Sequence, residues 1–238
     1  MCHVRHKAST VQAPAGRHKP VSGLADMPLW YETIAPIPPP DPMPAPLHCH
    51  LDFISPYGYF ASLRLEAIAA RHGRSVAWHP MLLGVAVMKV MGLKPLMDTP
   101  LKGDYVERDV RRYARERGVP MKRQPRDAVM NPLACARALA WTNRHEPERA
   151  SAVVHAVYGA YWGQGLDLST PDALAPVLGE ALARAAAGEE AAALLRAEVD
   201  ASLAQGVFGS PTVVVDGEPF WGVDKLEQLE RWLARGGW

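Results

Sequence analysis

The sequence predicts an α/β fold in which a β-α-β unit and a β-β-α unit are separated by an all-helical insertion. Three observations support this prediction. An alternating apolar strand near residue 47 leads through a Ser-Pro step into an amphipathic helix. A long middle stretch carries only helical patterns. Near the C-terminus, a β-branched strand, an Asp-Gly turn and a return strand precede a last helix.

The overall composition is that of a globular protein with a sizeable core. Of its 238 residues, 48% are hydrophobic, and 26 basic residues are balanced by 25 acidic ones. A net charge of +1 argues against a dedicated nucleic-acid partner, which normally carries a basic excess. No apolar run of about 18 residues occurs, so we expect no membrane partner. The three cysteines are far apart, which favours a reducing cytoplasm over a disulfide framework.

Residues 1–46 differ from the rest of the chain. They are rich in His and Pro, and repeated prolines remove amide donors and favour extended backbone, so we predict a poorly ordered extension. The pattern allows one short helix at about residues 24–33. Two interpretations stay open: an upstream addition to a gene whose ancestral start is Met43, or an arm that packs against a neighbour. The folded domain is predicted to span residues 47–238.

The β-α-β unit is read from apolar alternation and capping. Odd-numbered apolar residues from Leu47 to Phe53 predict a half-buried strand, with Cys49 pointing inward. Ser55 is a favoured N-cap and Pro56 a favoured first helical residue, and the helix should end near Arg71. A second strand is predicted at residues 75–82.

The remaining elements follow in order. The helical insertion occupies about residues 84–205, with helices predicted at residues 100–118, 132–144, 147–162, 171–187 and 189–205. Residues 211–215 form a strand, Asp216-Gly217 a hairpin turn, and residues 219–221 the return strand. Asp224 is predicted to cap the last helix, with Glu227 completing a capping box. This order is the thioredoxin-like arrangement with a helical insertion.

The Ser-Pro step lies where thioredoxin-like folds carry a reactive Cys-x-x-Cys motif at a helix N-terminus. Here the four positions read Ser55-Pro56-Tyr57-Gly58, so both sulfurs are missing and dithiol redox chemistry is excluded. The helix end still favours an anion. A bound molecule must therefore supply any reacting sulfur.

Several segments carry a family resemblance. Residues 52–59 (Asp-Phe-Ile-Ser-Pro-Tyr-Gly-Tyr) resemble the opening motif of the 2-hydroxychromene-2-carboxylate isomerases and the related kappa-class glutathione transferases. Residues 206–212 and 220–226 resemble the two C-terminal motifs of that group, and residues 102–105 and 162–167 fall in the expected order between them. The resemblance covers about residues 47–233 and implies that the bound thiol is glutathione.

The resemblance implies a set of site residues. Ser55 would hydrogen-bond the glutathione sulfur, and Ser210, before a cis Pro211, would offer its backbone to the cysteinyl group. The γ-glutamyl end would be held by the turn Trp221-Gly222-Val223-Asp224, and Lys102 would meet a carboxylate.

A structural explanation stands beside each of these roles. Ser55 and Asp224 could serve as N-caps only. Pro211 could be an ordinary trans proline, and Lys102 part of a solvated basic face with the arginines that follow it. The histidines show no paired metal spacing, so we expect no metal.

The resemblance implies a glutathione-dependent cis-trans isomerase acting on an aromatic or unsaturated 2-oxo acid by reversible thiolate addition, and it implies a homodimer. Two alternatives stay open. A kappa-like glutathione transferase would use the same thiolate but release a stable conjugate. A non-catalytic thioredoxin-like module would bind glutathione or peptides without turnover.

Overall fold

The computed structural model describes residues 44–238. The predicted tail up to Met43, with its short helix and the alternative start, lies outside these residues. Four strands are present: β1 (Leu47–Leu51), β2 (Val76–Pro80), β3 (Thr212–Val215) and β4 (Glu218–Trp221). The α-helices in this part of the chain are α1 (Pro56–Arg71), α2 (Lys102–Arg117), α3 (Leu133–His145), α4 (Ala150–Tyr158), α5 (Pro171–Leu178), α6 (Glu180–Ala187), α7 (Glu189–Ala204) and α8 (Leu226–Arg235). None of them is both long and apolar enough to cross a membrane.

The four strands form one mixed sheet in the order β2-β1-β3-β4. The β1 and β2 strands are parallel, with Leu47 opposite Val76. The other two pairings are antiparallel and place Val213 between Cys49 and Phe220. All elements between β2 and β3 are helical or irregular. The predicted fold class, two half-units around a helical insertion, is therefore confirmed.

The core is built where the sheet meets α1 and the insertion. Leu47 and Leu65 are fully buried, and Ile68 is only 1% exposed. Burying one such side chain contributes about 1.5–3 kcal/mol, so these elements are held together mainly by apolar packing. Cys49 points inward as predicted, and burial raises the pKa of its thiol, which suits packing and not nucleophilic chemistry.

The β3-β4 hairpin turns at Asp216-Gly217 as predicted. Both residues have positive φ, 52° and 87°, which is the geometry of a type I′ turn. Arg74 also holds the turn, because its guanidinium contacts both carboxylate oxygens of Asp216 at 2.8 and 2.7 Å. The turn is thereby tied to the segment that enters β2.

The single helix predicted for residues 171–187 is wrong. Thr170 does cap its start, since its Oγ1 accepts a hydrogen bond from Ala173 N at 3.3 Å. Gly179, however, adopts φ 88° and divides the stretch into α5 and α6. Glycine enters this conformation without the penalty that other residues meet, so it can end a helix inside an apolar pattern.

The predicted capping box at the last helix is also wrong. A short 3₁₀ turn (Val223–Lys225) begins directly after Gly222, whose φ of 106° marks the boundary. Asp224 consequently lies inside the turn and accepts no capping hydrogen bond, while its carboxylate contacts Lys225 at 2.6 Å. Glu227 pairs instead with Arg64 at 2.8 Å.

Candidate functional site

Ser55 lies where β1 has ended and α1 begins. It has extended backbone angles, φ −87° and ψ 116°, and its Oγ accepts a hydrogen bond from Gly58 N at 3.1 Å. Pro56 occupies the first helical position, where a missing N–H costs nothing. The structural role expected of Ser55, an N-cap, is therefore present. The residue is only 4% exposed, and its hydroxyl lies at the positive end of the helix dipole.

Ser55 also forms a hydrogen bond to the loop that precedes β3. Its hydroxyl donates to the backbone oxygen of Ser210 at 2.9 Å, and the Ser210–Pro211 peptide bond is cis. The hydroxyl of Ser210 in turn accepts from Asp52 N at 2.9 Å. Three of the residues singled out from the sequence, Ser55, Ser210 and Pro211, are thus brought together.

The turn from Trp221 to Asp224 adjoins this loop. Trp221 pairs with Thr212 in the hairpin register, and Gly222 N donates to the oxygen of Pro211 at 2.9 Å. Trp221 is 54% exposed. Val223 is buried in the core, whereas Asp224 is exposed.

Lack of a side chain at Gly209 lets the Trp221 indole approach the loop. A Cβ added to Gly209 would lie 2.2 Å from Trp221 Nε1. The indole also meets Phe208 edge-on, with ring centroids 4.8 Å apart, and Phe208 is 43% exposed. Phe208 and Trp221 therefore form a solvent-exposed aromatic pair beside Ser210.

Lys102 is the one predicted site residue that the structure does not link to the others. It is the exposed first residue of α2, and within residues 44–238 its side chain makes no hydrogen bond or ion pair. Among the arginines that follow it, Arg111 pairs with Glu107 at 2.8 Å and Arg112 with Asp109. These arginines form the solvated helix face that was the plainer interpretation.

Asp52 is a site residue that the sequence reasoning did not select. It is 1% exposed, and its carboxylate accepts backbone hydrogen bonds on both oxygens, from Ile54 N at 3.2 Å and Leu83 N at 2.7 Å. Its backbone oxygen accepts from Ser55 N at 2.9 Å and from the Tyr158 hydroxyl at 3.0 Å. Burial raises the pKa of the carboxyl to about 6, although the two N–H groups oppose this shift.

Aromatic residues of the insertion support the same turn. Besides Tyr158, the indole of Trp162 donates to the oxygen of Phe53 at 3.0 Å. Both residues come from the aromatic end of the helix predicted at residues 147–162, which is the signal that could have identified them. Gly58 allows this close approach, because a Cβ there would lie 2.2 Å from the Tyr158 hydroxyl.

A histidine cluster lies on β1 and β2 and contacts α7. The Nδ1 of His48 is 3.0 Å from His79 Nε2, and His79 Nδ1 is 3.0 Å from Glu198 Oε2. His50 is 2% exposed, and its Nδ1 lies 2.8 Å from Ser202 Oγ. Burial, followed by the charge of His79, lowers the pKa of His50 to about 4. In the part of the chain described, no three His, Cys, Asp or Glu side chains are arranged to hold a metal.

Replacing His50 by asparagine should change how stability depends on pH. The pKa of His50 is lowered from 6.5 to about 4, so its contribution to the free energy of unfolding is lost as pH falls through this interval. Asp52 has its pKa raised from 3.8 to about 6, so its contribution is lost as pH rises through nearly the same interval. Each shift corresponds to about 3 kcal/mol, and in the wild type the two trends oppose each other.

Urea unfolding measured from pH 4 to pH 7 tests this balance. For each protein, the free energy of unfolding at pH 4 is compared with that at pH 7. This difference should be about 2–3 kcal/mol more favourable for His50→Asn than for the wild type. The Asp52→Asn variant should lose a similar amount over the same range. Parallel pH curves for the wild type and His50→Asn would contradict the prediction.

The fold and site define a thioredoxin-like protein in which a buried serine occupies the redox position. A family model of the DSBA-like thioredoxin domain matches residues 47–234, so the chain belongs to this family. The chain is 27% identical over 193 residues to 2-hydroxychromene-2-carboxylate isomerase of Pseudomonas putida, covering 78% of this chain and 93% of that protein. It is 29% identical over 195 residues to the isomerase of that name from Sphingobium xenophagum, covering 77% and 95%.

Solved structures agree with this assignment. A selenomethionine 2-hydroxychromene-2-carboxylate isomerase has a TM-score of 0.67 and 26% identity, covering 79% of this chain and 94% of that one. The cytosolic disulfide reductase DsbM from Pseudomonas aeruginosa, solved with GSH, has a TM-score of 0.53 and 21% identity, covering 79% and 96%. The DsbM likeness concerns the fold alone.

Proposed function

We propose that this protein is a glutathione-dependent cis-trans isomerase of the 2-hydroxychromene-2-carboxylate type. The observation that carries the proposal is the contact between Ser55 and Ser210, which joins a hydroxyl at a helix N-terminus to the loop before a cis proline. The similarity to isomerases of that name supports the choice of reaction. The absence of both cysteines of a dithiol motif argues against disulfide exchange.

The residues around Ser55 fit glutathione. Its cysteinyl N–H could bond the Ser210 oxygen, which would release the Ser55 hydroxyl to donate to the sulfur. Gly222 lies beside Pro211 and begins the turn that leads to Asp224. The carboxylate of the γ-glutamyl end of glutathione would meet backbone amides of this turn. Asp224 caps no helix, and its exposed carboxylate, which contacts Lys225, would exchange this surface contact for the α-ammonium group.

Bound glutathione would supply a thiolate that adds reversibly to the conjugated 2-oxo acid, so that the former double bond can rotate before elimination restores the thiol. Ser55 would stabilise the negative charge on sulfur by donating its hydroxyl proton into a hydrogen bond. The positive end of the α1 dipole would act in the same direction. Phe208 and Trp221, exposed beside Ser210, offer an apolar surface for the aromatic body of the substrate.

A turnover assay tests the proposal. Purified protein is mixed with 2-hydroxychromene-2-carboxylate, and formation of the trans ring-opened product is followed by absorbance and identified by chromatography. We expect turnover only with glutathione, with no net consumption of thiol. S-methylglutathione, which has no free thiol, should not support turnover and should inhibit it. A stable glutathione conjugate would indicate the kappa-like transferase instead, and glutathione binding without reaction would indicate a binding module.

A further inference from the structure

Asp52 contacts three parts of the chain, two of which, the Ser55 turn and the cis-proline loop, are also joined by the Ser55 hydroxyl. Its two carboxylate oxygens hold Ile54 N, inside the turn that leads to Ser55, and Leu83 N, in the segment that leaves β2. Its own N–H donates to Ser210 Oγ, on the far side of Ser55. The side chain of this buried residue therefore ties the serine turn to the entrance of the helical insertion, and its backbone N–H adds the link to the cis-proline loop.

We propose that Asp52 is a positioning residue whose charged carboxylate fixes the Ser55 turn against the start of the helical insertion, and thereby in register with the cis-proline loop for glutathione. This inference rests on the proposed function. It concerns a residue that touches neither sulfur nor substrate and acts through Ser55 and Ser210.

The charge matters because both carboxylate oxygens face donors. An ionised carboxylate accepts at both positions, whereas a protonated one carries an O–H on one oxygen. That O–H would share its oxygen with the N–H of Leu83 or Ile54, so one of the two hydrogen bonds would be weakened or lost. A buried N–H left without an acceptor costs about 1–3 kcal/mol, which is enough to displace the turn.

Among the titratable side chains around Asp52, His50 lies two residues away on β1, and burial lowers its pKa to about 4, so it is neutral near pH 6. Cys135 on α3, Tyr158 on α4 and Tyr161 after α4 interact electrostatically with the Asp52 carboxyl group, and Cys49 precedes it on β1. Burial raises the pKa of each of these four, so they stay uncharged near pH 6. The pKa of Asp52 itself, about 6, responds to burial and the two backbone N–H groups. A change in ligand binding near pH 6 would therefore report on this carboxyl.

Calorimetric titration with S-methylglutathione between pH 5 and pH 8 tests the inference, because this ligand has no thiol that could titrate. Wild-type affinity should weaken as pH falls through about 6. Asp52→Asn should bind about tenfold more weakly at pH 7.5 and lose the pH step. His79→Asn, which changes a histidine on β2 that makes no hydrogen bond to Asp52 among the described residues, should keep the step.

A second variant removes a donor and keeps the carboxylate. Leu83 has φ −58°, which proline can adopt, so Leu83→Pro deletes the N–H that bonds Asp52 Oδ2. Without this N–H the carboxylate is less stabilised, and the pH step should move to a higher pH. This variant keeps the inference testable if Asp52→Asn does not fold.

The outcomes separate the inference from the proposed function. If wild type binds S-methylglutathione but shows no step, or if Asp52→Asn keeps the step and wild-type affinity, the role of Asp52 is overturned while the isomerase proposal stands. If wild type binds neither glutathione nor S-methylglutathione at any pH, the proposed function fails and the inference fails with it.

Discussion

Replacing Ser55 by alanine is expected to lower glutathione-dependent kcat/KM about 100- to 1,000-fold at pH 7, the usual effect of removing one preorganised donor to a developing anion. The hydroxyl is the side-chain donor in the contact that joins the α1 N-terminus to the cis-proline loop. Without it the bound thiol should ionise less readily, so a thiolate absorbance near 240 nm should appear only at higher pH. Part of the lost rate should return as pH rises.

A matched substitution separates this effect from a loss of structure. Ser62 lies on the same helix, is 1% exposed, and donates to Tyr59 O at 2.7 Å. Ser62→Ala should reduce stability by about 1 kcal/mol and leave kcat/KM nearly unchanged. Ser55→Ala should show a similar stability loss, because the cap to Gly58 N is removed. Equal activity in the two variants would show that Ser55 is only an N-cap.

Patterns that depend on neighbouring residues were sufficient to predict most of the fold. Apolar alternation identified β1, the Ser-Pro step identified the start of α1, and Asp216-Gly217 identified the hairpin turn. The two wrong predictions, the single helix at residues 171–187 and the capping box of the last helix, share one cause. In each, a glycine with positive φ sets an element boundary that the helical sequence pattern does not show. Gly179 divides a helix, and Gly222 begins the final turn two residues before Asp224.

The candidate site was predictable only where its residues lie in recognisable local motifs. Ser55 and Pro211 each sit at the start of a regular element, where cap and strand signals identify them. Asp52 and Tyr158 are 106 positions apart, and their hydrogen bond depends on how the insertion packs against the turn after β1. Lys102 was assigned from the resemblance alone, and the structure gives it no polar contact with the other site residues in the described range.

Gly58→Ala is expected to be the most destabilising single methyl addition at the site, lowering the free energy of unfolding by about 3–5 kcal/mol. The added Cβ would lie 2.2 Å from the Tyr158 hydroxyl and 3.1 Å from Ser210 Oγ. Tyr158 is fully buried, so its ring cannot move aside without disturbing the core. Overpacking of this kind costs about 1–3 kcal/mol, and displacing the buried Tyr158 hydroxyl from Asp52 O adds the cost of losing that hydrogen bond.

Tyr158→Phe provides the test of this mechanism, because it removes the atom that the new methyl group would strike. Alone it should cost about 1 kcal/mol, through loss of the hydrogen bond to Asp52 O. In the double variant the nearest ring atom would be 3.2 Å from the added Cβ, a tight contact that small shifts can relieve. The double variant should therefore be more stable than Gly58→Ala alone, with a coupling of about 1–3 kcal/mol by urea unfolding. Additive effects would mean that the methyl group destabilises the protein through the α1 backbone, and that Gly58 is not there to accommodate Tyr158.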